Sequence, residues 1–223
     1  MLYNQVVNEW GETTYVPTTL GNVLLIVAII VLLGLSLLFM KKRSFKLSIK
    51  QLTFCAMALA LGTVLSYVKV FHFPTGGSIT LLSMLAICLP GYWFGLEVGI
   101  MTGVAYGLLQ LFIDPYVLYP MQLVVDYLLA FGALGLSGIF ASKTVKNSLI
   151  KGYVVGILGR FVFAVISGWI FFGAYAWEGW SALPYSIVYN AIYIFAEAAI
   201  TVIIIALPPV KKVMGQIKTM ATT

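Results

Sequence analysis

Residues 119–141 read YPMQLVVDYLLAFGALGLSGIFA. A helix that crosses a bilayer needs about 20 predominantly apolar residues. This stretch supplies them around a single ionisable side chain, Asp126. The rest of the chain follows the same pattern. Of its 223 residues, 61% are hydrophobic and 9% are charged, whereas a soluble domain is about 25% charged. The chain is therefore read as a multi-pass helical membrane protein, long enough for one compact membrane domain.

Seven apolar stretches qualify as spans: 18–40, 49–70, 79–95, 98–113, 119–141, 151–173 and 184–208. The turn between the third and fourth is short, GYWFGLEV at 91–98. The first span has no basic segment before it, and its basic cluster follows, so it is expected to be a retained anchor rather than a signal peptide. Lys and Arg collect on the cytoplasmic flanks of membrane helices. The basic residues cluster in KKRSFK at 41–46 with Lys50 after it, in ASKTVKNSLIK at 141–151, and in KKVMGQIK at 211–218. Seven spans with the N-terminus outside put all three clusters and the C-terminus inside. The net charge of +6 is thus explained by topology. The basic residues flank apolar spans rather than form a groove with stacking aromatics, so nucleic acid is not an expected partner. Membrane lipid is.

Three ionisable residues fall within spans: Asp126, Arg160 and Glu197. Each is a functional candidate by default, because a charge in hydrocarbon is costly. At 1.5 Å per residue, Arg160 and Glu197 lie about 18 Å below the outer surface on consecutive antiparallel helices. Their matching depth predicts a structural ion pair. Asp126 sits higher, about 10 Å below that surface. Tyr119, Gln122 and Asp126 recur at helical spacing and are expected on one face. Asn190, Tyr193 and Glu197 share a face of the last span, with Tyr185 and Tyr189 alongside. A carboxylate so placed either bonds a neighbouring helix or receives an amine, amidine or cationic ligand.

The outer loops read FHFPTGGS, IDPYVLYP and GAYAWEGWSALPY. An interfacial aromatic belt accounts for part of this composition. The density of Tyr175, Trp177, Trp180 and Tyr185 also suits a flat ring, held by stacking or cation–π contact.

Other chemistries are not supported. No GxxxxGK[ST] loop or HExxH motif occurs, so neither ATP hydrolysis by the chain itself nor zinc proteolysis is expected. His72 is the single histidine. It leaves no plausible Ser/His pair inside a span and no metal cluster. Cys55 and Cys88 lie in apolar segments and read as packing residues. The chain is expected not to be an enzyme and to carry no cofactor or metal.

The second span carries FCAMALALG, with Ala56 and Ala60, and Ala58 and Gly62, at spacings of four. Small residues at this spacing let another helix approach closely. Together with FPTGGSITLLSM at 73–84, the run from Gly107 to Phe140, and SGWIFFGAYAWEGWSALPYSIVYNAIYIFAEA at 167–198, it resembles the thiamine-specific S-components (ThiT or YuaJ type) of energy-coupling factor (ECF) vitamin transporters. The resemblance covers roughly residues 47–210 in order. It implies an all-α fold with a six-helix S-component core, preceded here by one extra N-terminal helix. Residues 1–45 then form the tail and added helix, and 46–223 the binding domain. It also implies capture of thiamine at the outer face of the cell membrane, and a transmembrane coupling subunit with two cytosolic ATPases as partners. Ala56 and Ala60 match the docking motif. Asp126 matches the acidic residue on the aminopyrimidine, and Tyr127 its neighbour. Tyr116, Tyr106 and Phe172 fall at pocket aromatics, and Tyr185 and Asn190 at a polar pair. Arg160 falls at a basic position, and GGSI resembles the loop that lids the site. Phe172 stands where relatives can have tryptophan, which leaves a related ring compound such as a hydroxymethylpyrimidine as the alternative ligand. A stand-alone facilitator is the alternative mode.

Overall fold

The computed structural model describes residues 3–7, 13–18, 20, 47–73, 77–113, 118–142 and 145–223. Nearly all of the expected first span at 18–40, the basic cluster 41–46 and Tyr116 lie outside the described residues. Near the N-terminus, β1 (Tyr3–Val7) and β2 (Thr13–Pro17) form an antiparallel hairpin with Tyr3 opposite Pro17.

Helix α1 (Ile49–Tyr67) begins at a complete capping box, in which the Ser48 hydroxyl accepts from the Gln51 amide at 3.2 Å. It buries only Cys55, Ala58 and Gly62. Leu52, Met57, Leu61 and Val64 face outward, as do Ala56 and Ala60. The helix stops short of the expected residue 70. The β-branched and aromatic run after Tyr67 instead forms β3 (Lys69–His72), paired antiparallel with β4 (Ser78–Thr80).

The expected span at 79–95 is a shorter helix, α2 (Ser83–Phe94). Its 12 residues rise about 18 Å, too little to cross a hydrocarbon core of about 30 Å. All but Phe94 of them are buried, so α2 is the centre of the bundle. Gly95, at φ 98°, turns the chain directly into α3 (Leu96–Ile113).

The opening stretch forms one helical run, α4, in four parts. It opens with an α-turn at Pro120–Gln122, passes into a π-helix at Leu123–Leu129, returns to α at Ala130–Ala133, and tightens to 3₁₀ at Leu134–Phe140. It packs backbone to backbone on α3. A Cβ at Gly107 would collide with the Tyr127 carbonyl oxygen, and one at Gly135 with the Ile100 amide.

Helices α5 (Ser148–Phe171) and α6 (Ala182–Ala206) follow. Among the described residues, five helices are long and apolar enough to cross a membrane: α1, α3, the Leu123–Phe140 part of α4, α5 and α6. The basic tail is not an extended flank but an amphipathic helix, α7 (Pro208–Thr222). Lys211 Nζ donates to Asn147 Oδ1 at 2.6 Å, and Lys218 Nζ to the Ala141 carbonyl at 2.6 Å while lying 4.1 Å from the Tyr92 ring centroid. The second and third basic clusters thus gather at one end of the bundle.

Candidate functional site

A cavity of about 310 Å³ opens at the other end, where the β3–β4 hairpin meets α3, α4, α5 and α6. Each element reaches it for a local reason. The π-turns of α4 widen the helix at Asp126 and Tyr127, and both side chains line the cavity. Such insertions are common at functional sites because they re-aim side chains that an α-helix would carry past. The expected face holds only in part, because Tyr119 is extended (φ −136°, ψ 140°) and precedes the helix. Gln122 and Asp126 line the cavity, but Tyr119 stacks on Phe171 at 5.7 Å instead.

Asp126 has the Ser167 hydroxyl and the Gln122 amide beside it, with Arg160 close enough to act on its charge. Arg160 Cζ stands 4.2 Å from the Phe131 ring centroid. Phe131 meets Tyr106 edge-on at 5.1 Å and Tyr127 at 6.3 Å. The Tyr106 hydroxyl donates to the Gly62 carbonyl at 3.1 Å, which ties this wall to α1.

The opposite wall is α6. Tyr185, Tyr189 and Tyr193 form a ladder with neighbouring centroids 5.4 and 6.0 Å apart. Asn190 Nδ2 donates to the Ser186 carbonyl at 2.8 Å and to the Ala164 carbonyl at 3.3 Å, and the Tyr193 hydroxyl donates to Asn190 Oδ1. The Ser186 hydroxyl donates to the Val165 carbonyl at 2.8 Å. These bonds lock α5 to α6, and all three tyrosines line the cavity.

The cavity brings together Asp126, Tyr127, Tyr106, Phe172, Tyr185 and Asn190, and adds Phe131, Tyr189, Tyr193, Gln110 and Ser167. Of the aromatic loop, Tyr185 lines it, while Tyr175, Trp177 and Trp180 do not. Trp177 packs behind Tyr185 at 5.2 Å, edge to face. Phe131 carried no warning in the sequence, since a phenylalanine in an apolar span is ordinary. The tyrosines recurring every fourth residue on α6 were a readable signal.

The expected ion pair between Arg160 and Glu197 does not form. Glu197 accepts hydrogen bonds from Thr80, Ser83 and Met84, and Arg160 turns to Phe131. The cause is the shortness of α2. Its first amides are left within the bundle and need an acceptor there, and Glu197 supplies it.

The arrangement suits a flat ring. Aromatic rings line two of its walls, and Asp126 offers an acceptor to a ring N–H or a counter-charge to a cation.

Comparison with known proteins agrees. The family model described as thiamine transporter protein (Thia_YuaJ) matches residues 52–216. The chain is 36% identical over 146 residues to the thiamine transporter ThiT of Bacillus subtilis (strain 168), covering 60% of this chain and 76% of that protein. It is 28% identical over 138 residues to ThiT of Lacticaseibacillus paracasei, covering 57% and 67% respectively. A solved structure of ThiT from Listeria monocytogenes superposes with a TM-score of 0.60 at 27% identity, over 71% of this chain and 94% of that one. This multi-pass membrane protein belongs to the thiamine transporter protein (Thia_YuaJ) family.

Proposed function

We propose that the chain captures thiamine from outside the cell as the S-component of an ECF-type uptake system. The observation that carries this reading is the difference between the two carboxylates on the cavity wall. Each Glu197 oxygen already has two donors from the chain. Asp126 instead faces the cavity beside Ser167 and Gln122. Its carboxylate accepts from the aminopyrimidine. The tyrosines of α6 and Phe172 face the cationic thiazolium.

The magnitudes suffice. A desolvated cation–π contact contributes about 2 kcal/mol and a charge-assisted hydrogen bond about 1.5–3 kcal/mol. With ring burial added, these approach the roughly 12 kcal/mol of nanomolar binding. Tyr127, Tyr106, Tyr116, Tyr185 and Asn190 complete the site. Residues 46–223 form the binding unit, supported by the family match over 52–216, and 1–45 are an addition to it.

The chain makes no covalent change in its ligand. The outward small-residue face of α1, with Ala56 and Ala60, docks the coupling subunit, and two cytosolic ATPases supply the energy. The N-terminus is outside. The α7 end, with its gathered lysines, is cytoplasmic, in keeping with the positive-inside rule.

The test is titration of the purified protein with thiamine, read by tryptophan fluorescence through Trp177 behind Tyr185. Quenching at nanomolar ligand is expected. Silence up to micromolar thiamine, with a response to hydroxymethylpyrimidine, would replace the ligand. Thiamine uptake in cells without an ATPase module would replace the coupled mechanism by a facilitator.

A further inference from the structure

Glu197 is 2% exposed and lies on the cavity wall, yet its bonds point to a role other than ligand contact. Oε2 accepts from the Thr80 amide at 3.0 Å and the Thr80 hydroxyl at 2.6 Å. Oε1 accepts from the Met84 amide at 3.1 Å and the Ser83 hydroxyl at 3.3 Å. All four donors belong to the corner where β4 turns into α2.

That corner is strained. Leu82 has φ 62° and ψ 14°, a left-handed conformation that a bulky side chain avoids. No side chain caps α2 from its own N-cap position. Glu197 supplies the missing acceptor from α6, and its charge suits the positive end of the helix. Strain of this kind persists only where the surroundings hold it.

The next turn of α6 backs the hairpin as well. Gly77 has φ 83°, and a Cβ there would come within 2.9 Å of the Tyr193 ring. Phe73 meets Tyr189 and Tyr193 at 5.5 and 6.0 Å.

We infer that Glu197 is the positioning residue for the hairpin end of the cavity: through Thr80, Ser83 and Met84 it holds the strained β4–α2 corner against α6, and so sets how long a ligand stays. The inference takes the identity of the ligand from the thiamine reading. The latch itself does not depend on it.

Two measurements on the full-length protein test the inference. The first is hydrogen exchange of the Thr80 and Met84 amides without ligand. In Glu197→Gln an NH₂ group replaces one acceptor oxygen and must face one pair of donors. Exchange at these amides should rise at least about tenfold, while the amides of α5 stay protected. The second is the thiamine dissociation rate, which should rise at least about tenfold, with a smaller change in the association rate. Thr80→Val removes the hydroxyl's bond to Glu197 and its 2.6 Å contact with the Ser83 hydroxyl, keeps both amide bonds, and should fall between wild type and Glu197→Gln. It carries the test if Glu197→Gln does not fold.

Unchanged exchange at Thr80 and Met84, or an unchanged dissociation rate in folded variants, overturns the inference. A general loss of stability would raise exchange in α5 equally, and that outcome also overturns it. Failure of the wild type to bind thiamine strikes the proposed function instead and leaves the exchange arm standing.

Discussion

The Arg160 guanidinium carbon stands 4.2 Å from the centroid of the Phe131 ring. A cation inside a helix bundle must find a partner, because leaving it unpaired costs several kcal/mol. Here the partner is a π-face on α4 rather than the glutamate at matching depth on α6. Arg160 and Phe131 both line the cavity, so their contact fixes the wall next to Asp126.

Phe131→Leu keeps an apolar side chain of lower volume and removes the ring. The cation–π contact, worth about 0.5–2 kcal/mol, is lost, and Arg160 is released toward the cavity. Thiamine affinity should fall about tenfold by calorimetric titration. Affinity equal to the wild type would show that the wall does not depend on this pair.

Ala56 and Ala60 face outward on α1 and lie outside the cavity lining. Ala56→Leu with Ala60→Leu should leave thiamine binding by the purified protein unchanged and sharply reduce uptake in cells that hold the coupling subunit and ATPases. Unimpaired uptake would move the docking surface elsewhere.

Lys218 is buried to 8% exposure and bonds the Ala141 carbonyl at 2.6 Å over the Tyr92 ring. Lys218→Met removes the charge-assisted bond and the cation–π contact together. A loss of about 1.5–3 kcal/mol is expected, seen as faster proteolysis within α7 and a lower Tm in detergent. Retained protection would show that α7 is held by its apolar face alone.

Gly107 and Gly215 form a matched pair. A Cβ at Gly107 meets the Tyr127 carbonyl oxygen, while one at Gly215, in α7, has nothing within 4 Å. Gly107→Ala should force α3 away from the π-turns that carry Asp126 and lose both folded yield and binding. Gly215→Ala should raise the Tm, since alanine exceeds glycine in helix propensity by up to about 1 kcal/mol. Equal behaviour of the two variants would contradict the backbone packing described for α3 and α4.

How far the molecule can be read from its residues differs from one element to the next. The long apolar helices are legible because composition and run length are one-dimensional properties. The α6 tyrosines are legible because a fourfold spacing keeps them on one face. The span at 79–95 misled, because its residues are as apolar as a spanning helix although only Ser83–Phe94 is helical. The ion-pair expectation fails for a different reason: matching depth along α5 and α6 says nothing of the Thr80, Ser83 and Met84 donors that the β4–α2 corner brings to Glu197. Tyr119 is off its expected face because the helix begins only at Pro120 and Tyr119 is its extended N-cap, a start that hydrophobic spacing does not mark. The tail at 211–218 is marked in the sequence by its basic charge alone, whereas the burial of Lys218 depends on Ala141 and Tyr92, which are distant in the chain.

Asp126 is the residue on which the binding account turns. The most direct measurement is the dissociation constant for thiamine of Asp126→Asn beside that of the wild type, by calorimetric titration of proteins with matching melting profiles. Asn keeps the size and removes the charge, turning a charge-assisted bond into a neutral one. The account predicts nanomolar binding by the wild type and a constant at least about tenfold larger in the variant. Equal constants in the two proteins would contradict it.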